Sequence, residues 1–202
     1  MYKTISNNII RKFKPCYDPS EVITDETEEL SVKQWVEKYR KVITVNDIIW
    51  LLLRKEFISK KDLRLFAVWC AREALKLVEN PDERIVEACN VAERYANGEA
   101  TKKELDAARD AADAARVAAY YAANDVANDA ASITAYYATL SAYYAAYAVA
   151  HPAYMSASSA SEDAYASYAV RDIASEAVRD AADAARKIAR TAQVDKLLSY
   201  FE

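Results

Sequence analysis

Glycine is nearly absent from this chain: Gly98 is the only one in 202 residues, beside four prolines. Sheet proteins draw on both residues for their turns, so the scarcity predicts an almost wholly helical fold and makes strands improbable. A single glycine also excludes a phosphate-binding P-loop and a GxGxxG dinucleotide fingerprint. Cysteine is sparse and odd in number. Cys16, Cys70 and Cys89 show no CxxC spacing, which argues against a disulfide framework or a zinc site and predicts reduced thiols in a cytoplasmic protein. His151 is the only histidine, so neither a histidine-based metal site nor a serine triad can be assembled. No catalytic constellation, metal or cofactor is expected.

Charge is also missing where length would lead one to expect it. Residues 1–100 hold 17 basic and 17 acidic side chains, residues 101–202 hold 10 and 14, and the net charge is −4. That balance leaves no electrostatic footprint for duplex nucleic acid. Between Asp129 and Glu162 there is no charged side chain at all, yet the segment carries Tyr136, Tyr137, Tyr143, Tyr144, Tyr147 and Tyr154. Its length raises the question of a membrane span. Against one, the segment is mainly Ala, Tyr, Ser and Thr, and its flanking charges are acidic rather than basic. The start, MYKTISNNIIRKFK, has no apolar run of signal-peptide length.

What is present falls into two parts, 1–98 and 99–202. The first reads as a bundle of short capped helices. Ser31 with Gln34, Thr44 with Asp47 and Ser59 with Asp62 each place a capping oxygen three residues before a partner, and the third helix is expected to run to about Glu79. Asn80 is read as the next N-cap with Pro81 in the first turn. Asn97-Gly98 closes that helix, and Thr101 with Glu104 opens the following one. Residues before about 25 are read as irregular, because of Pro15 and Pro19.

From residue 101 to 200, 34 positions are alanine, the best helix former. Leu105, Ala112, Ala119, Val126, Ile133, Leu140 and Tyr147 recur every seven residues, which predicts one helix over 102–149. His151-Pro152 ends it. A return helix is predicted with Val170, Ala174, Ala177, Ala181, Ala184 and Ile188 as its packing seam. The expected architecture is all-α: a small helical bundle packed on a long Ala/Tyr-rich antiparallel hairpin, possible as one continuous domain.

Three features could carry function. Tyr136, Tyr143 and Tyr147 share a helical face, with Tyr137 and Tyr144 beside them; such rings fill gaps between thin Ala helices, or offer stacking faces and polar tips to a planar ligand or a protein. AARDAADAAR at 107–116 and AVRDAADAAR at 177–186 are near-copies. Their Arg109, Arg116, Arg179 and Arg186 either pair with nearby Asp or grip a phosphate or carboxylate. Asn124, Asp125, Asn128 and Asp129 form a polar patch that reads as a register device ahead of a metal site.

The stretch from Asp62 to Ala119 contains FAVWCAREAL, the turn Asn-Pro-Asp-Glu-Arg, ERYANGEATKKEL and an array of small and aromatic residues. It resembles an Ala-rich immunity-protein family of bacteria and their phages, with the looser array extending the likeness over about residues 62–190. The resemblance implies an all-helical fold and a role in neutralising a toxin or a defence signal; it assigns no site residues. Together these readings predict a non-enzymatic immunity or counter-immunity (anti-defence) protein that sequesters a small nucleotide-like ligand, as a homo-oligomer. The alternative is a surface that masks a protein toxin, and a hydrolase of a nucleotide signal stands third.

Overall fold

The computed structural model describes residues 1–125, 136–137, 139–140, 143, 145–146 and 176–201, with side chains at all of them except 122–125 and 176–182. Among these residues the chain is mostly helical, with seven α-helices: α1 Asn7–Lys12, α2 Val32–Tyr39, α3 Val45–Leu52, α4 Lys60–Leu75, α5 Glu83–Asn97, α6 Lys102–Asp125 and α7 Glu176–Leu198. One expectation needs correction. Strands do occur: β1 (Thr4–Ile5) and β2 (Leu30–Ser31) pair antiparallel, Thr4 opposite Ser31 and Ile5 opposite Leu30. Two residues on each side need no glycine turn, because the connection is the whole stretch containing α1.

That first stretch is held by polar ties rather than by helix length. Asn7, fully buried, donates through Nδ2 to the Ile23 carbonyl at 2.8 Å. Arg11 and Glu26 form a two-pronged pair, both contacts at 2.7 Å, the planar match that makes Arg–carboxylate pairs directional. Ile5, Ile10 and Ile23 thereby reach the same core as α2 and α3.

The capping signals act as the spacing predicts. Ser31 and Gln34 form a reciprocal capping box, Thr44 Oγ1 accepts from the Asp47 amide at 3.2 Å and Ser59 Oγ from the Asp62 amide at 3.0 Å. Thr101 and Glu104 exchange bonds in both directions. Two boundaries differ from the sequence reading. Helix α4 stops at Leu75 rather than near Glu79, and the N-cap of α5 is Asp82, which accepts from the Arg84 amide at 2.9 Å, not Asn80. Pro81 therefore lies outside the helix.

Gly98 closes α5 at φ 81°, in the left-handed region. The Glu99 amide donates to the Arg94 carbonyl at 2.8 Å and the Gly98 amide to the Tyr95 carbonyl at 3.1 Å, the crossed pair of a Schellman turn. No atom lies within 4 Å of the place a Cβ would take, so Gly98→Ala meets backbone strain alone. We expect it to cost about 1–2 kcal/mol, with Gly98→Asn milder because Asn tolerates this region. Urea midpoints of the two variants check the order.

Helices α4, α5 and α6 pack in sequence order, α4 on α5 and α5 on α6, while α7 lies against α3 and α4. One buried cluster runs through all of them, from Trp35, Ile48 and Leu52 through Phe66, Cys70 and Ala92 to Leu105, Val194 and Leu197. Pairing of the two Ala-rich legs is not among the extensive helix contacts of the described residues. Leu105 and Ala112 of the seven-residue seam are buried, as expected, and Leu140 is partly so. Val126, Ile133 and Tyr147 lie outside the described residues, as do Asn128, Asp129 and His151. The seam expected for α7 is corrected where it can be read. Ala184 is exposed and Ile188 is 71% exposed, whereas Arg190, Gln193, Val194 and Leu197 face inward.

Candidate functional site

Helix α6 carries a polar and aromatic strip beside its α5 contact. Asp113, Arg116 and Tyr120 follow at spacings of three and four, one strip along its surface. Arg116 donates through Nε to Asp113 Oδ1 at 2.9 Å, and its Nη2 lies 2.8 Å from the same oxygen. The guanidinium stands 5.5 Å from the Tyr143 ring centroid. The hydrogen bond that Arg116 donates to Asp113 raises the Arg116 pKa above its ordinary value against the opposing effect of burial, and Tyr136 adds a smaller share of the same sign. The cation is thus fixed in place and permanently charged.

Around it the tyrosines form a connected chain of rings. Tyr121 meets Tyr120 edge-on at 5.7 Å, Tyr120 meets Tyr136 at 5.7 Å, and Tyr136 meets Tyr137 at 5.3 Å. Tilted and edge-to-face contacts of this length are the favoured arrangements of aromatic quadrupoles. Tyr120 and Tyr121 remain 48% and 62% exposed, so the chain ends in open faces. A cleft of about 280 Å³ is lined by Val78, Pro81 and Asp82 from between α4 and α5, by Ala115 and Ala119 of α6, and by the buried Thr139. Thr139 stands three residues after Tyr136 and four before Tyr143, on their helical face.

The site residues expected from sequence divide accordingly. Arg116, Tyr136, Tyr137 and Tyr143 come together. Among the described residues Arg109 is paired with Asp106 at 3.4 Å and Asp110 at 3.0 Å, while Asp113, which the spacing also offered it, turns to Arg116. Arg186 is partly buried on α7 and makes an interaction of its own. Tyr144 and Tyr147 lie outside the described residues, and so does the side chain of Arg179.

Tyr120 and Tyr121 are the residues sequence reading missed. The available signal was the doublet: Tyr-Tyr occurs at 120–121, 136–137 and 143–144, and Tyr120 is four residues from Arg116. Cys70 and Cys89 belong to the core instead. Burial pushes the Cys70 thiol far up and the Cys89 thiol up to about 12, which keeps both protonated and unreactive.

Among the described residues no helix is long and apolar enough to cross a membrane, and most of the uncharged segment 130–161 lies outside them. The chain matches no family model, no curated protein and no solved structure.

Proposed function

We propose that the protein is a non-enzymatic binding protein that neutralises a small nucleotide-like signal by holding it, in an immunity or counter-immunity role in line with the resemblance carried by residues 62–119. The observation that supports this reading is the Arg116 cluster: a fixed guanidinium flanked by Tyr136 and Tyr143 and continued by the open rings of Tyr120 and Tyr121. Asp113 takes the Nε edge of the five-donor fork and Tyr136 bonds the guanidinium as well; the N–H groups beyond these suit phosphate oxygens. A flat base has rings to stack on, each base–aromatic contact being worth about 1–3 kcal/mol, and the cleft lined by Ala115 and Ala119 has room for it.

Sequestration needs tight binding and no turnover, so the test follows the ligand's fate. The protein is incubated with cyclic and ADP-ribose-type nucleotides, freed of unbound ligand, denatured by heat, and the released compound is identified. Intact recovery of one compound is the expected result. An altered product would replace sequestration by hydrolysis.

A second reading, masking of a protein toxin, is favoured by the exposure of Val117, Tyr120 and Tyr121 in one stretch of α6, since tyrosine is enriched in interface cores. It gains if no nucleotide is retained. In either case the exposed apolar and aromatic residues fit assembly into a homo-oligomer, which light scattering on the same sample measures.

A further inference from the structure

A second cleft, of about 360 Å³, lies where the residues ahead of β1, the start of α2 and the residues after α7 meet. Its volume is within the range of small-molecule pockets. Four rings line it, Tyr2, Phe57, Tyr200 and Phe201. Tyr2 and Phe57 stand 5.6 Å apart and Phe57 is buried, so the floor is preformed. Burial, with Asp62 and Cys70 adding to it, pushes the Tyr200 hydroxyl up to about 12, which leaves it a hydrogen-bond donor throughout the physiological range.

Four lysines stand around these rings, with the Asp62 carboxylate near Tyr200 as an opposing charge. Lys3 and Lys33 line the cleft, Lys12 lies 5.4 Å from the Tyr2 centroid and Lys196 5.1 Å from that of Tyr200. Lys3, Lys12, Lys33 and Lys196 hold no carboxylate among the described residues, and no described carboxylate lines the cleft. An anion placed beside Lys3 and Lys33 gains an attraction that no described carboxylate in the lining already satisfies.

We propose that this cleft is a second binding site, separate from the Arg116 cluster, and that it takes a small amphipathic anion: an aromatic body against the four rings, with a phosphate or carboxylate group held by Lys3 and Lys33. The two halves of the ligand are recognised by different chemistry, so neither half alone should suffice. The probe is 1-naphthyl phosphate, titrated calorimetrically into the full chain, with 1-naphthol and inorganic phosphate as its separate halves.

Saturable binding of the whole probe is expected, with each half at least about tenfold weaker, as the loss of charge-assisted hydrogen bonds or of ring burial implies. The double exchange Lys3→Gln, Lys33→Gln should weaken the probe by about tenfold or more without moving the melting temperature, because both side chains are exposed. Arg116→Gln should leave it unchanged. Equal affinity in the double variant, loss of binding in Arg116→Gln, equal binding of naphthol and naphthyl phosphate, or no saturation at millimolar concentration would each overturn the assignment. The comparison of the three probes is made on the unaltered protein, so it stands even if a variant folds poorly.

Discussion

Phe66→Ala is expected to cost about 3–5 kcal/mol, the range for truncating a fully buried aromatic ring. Phe66 has no exposed surface and stacks on Trp69, with centroids 6.2 Å apart and planes 22° apart. It sits in α4, the helix that touches both α5 and α7. A hole there cannot be closed by shifting one neighbour, because the other is left behind. Out of a total of roughly 5–15 kcal/mol for a native domain, this loss leaves the chain marginal. Phe66→Leu keeps most of the volume and should cost less than about 1.5 kcal/mol. Leu77→Ala, on a side chain 54% exposed near the end of the same helix, should stay within about 0.5 kcal/mol. Urea unfolding with an unchanged m-value separates the three. A small effect for Phe66→Ala would mean that α4 is not the centre of the core.

The second large effect is on binding. Arg116→Gln should weaken the retained ligand by roughly 10–150-fold, the value of hydrogen bonds to a charged partner, while stability changes little. The ion pair it breaks is 28% exposed on the Arg side and 45% on the Asp side, and surface pairs are worth at most about 1 kcal/mol. Tyr136→Phe keeps the ring in the chain of tyrosines and removes only the hydroxyl, so a smaller loss in affinity is expected from it. Calorimetry and melting curves on the same preparations decide the matter. A variant at Arg116 that melts several degrees early and binds normally would reduce the cluster to a structural ion pair.

Local chemistry was the part of the fold most legible in the sequence. Ser31, Thr44, Ser59 and Thr101 could be identified as caps because the capping oxygen and the amide it serves are three residues apart, with no tertiary partner involved. At Asn80-Pro81-Asp82 two side-chain oxygens flank one proline, and the helix rules accept either start; only the backbone turn, with Asp82 at φ −58° and ψ 127°, selects the second. Burial on α7 was not legible. Its alanines gain little from facing one way or the other, so the face that meets α3 and α4 is set by those helices. Arg190 and Gln193 go inside, bonded to each other at 3.3 Å, and Ile188 stays out. The site was half legible for a similar reason: the Tyr and Arg residue types were evident, but Asp113 could pair with Arg109 or Arg116, and only the side-chain geometry of α6 shows that it chooses Arg116.

The position of α7 also has a kinetic side. Contacts among α4, α5 and α6 join neighbours in sequence, whereas the hydrogen bond from Arg40 to Asp195 spans 155 residues. Closing a loop of that size costs about 2 kcal/mol more entropy than closing one of 15 residues, so the three middle helices are free to assemble before the last helix is captured. On that order of events, contacts made last are expected to be absent from the folding transition state. Weakening Val194 or Leu197 should therefore speed unfolding in stopped-flow measurements and leave the folding rate nearly as it was, which makes the α7 docking surface the element that sets how long the native chain persists.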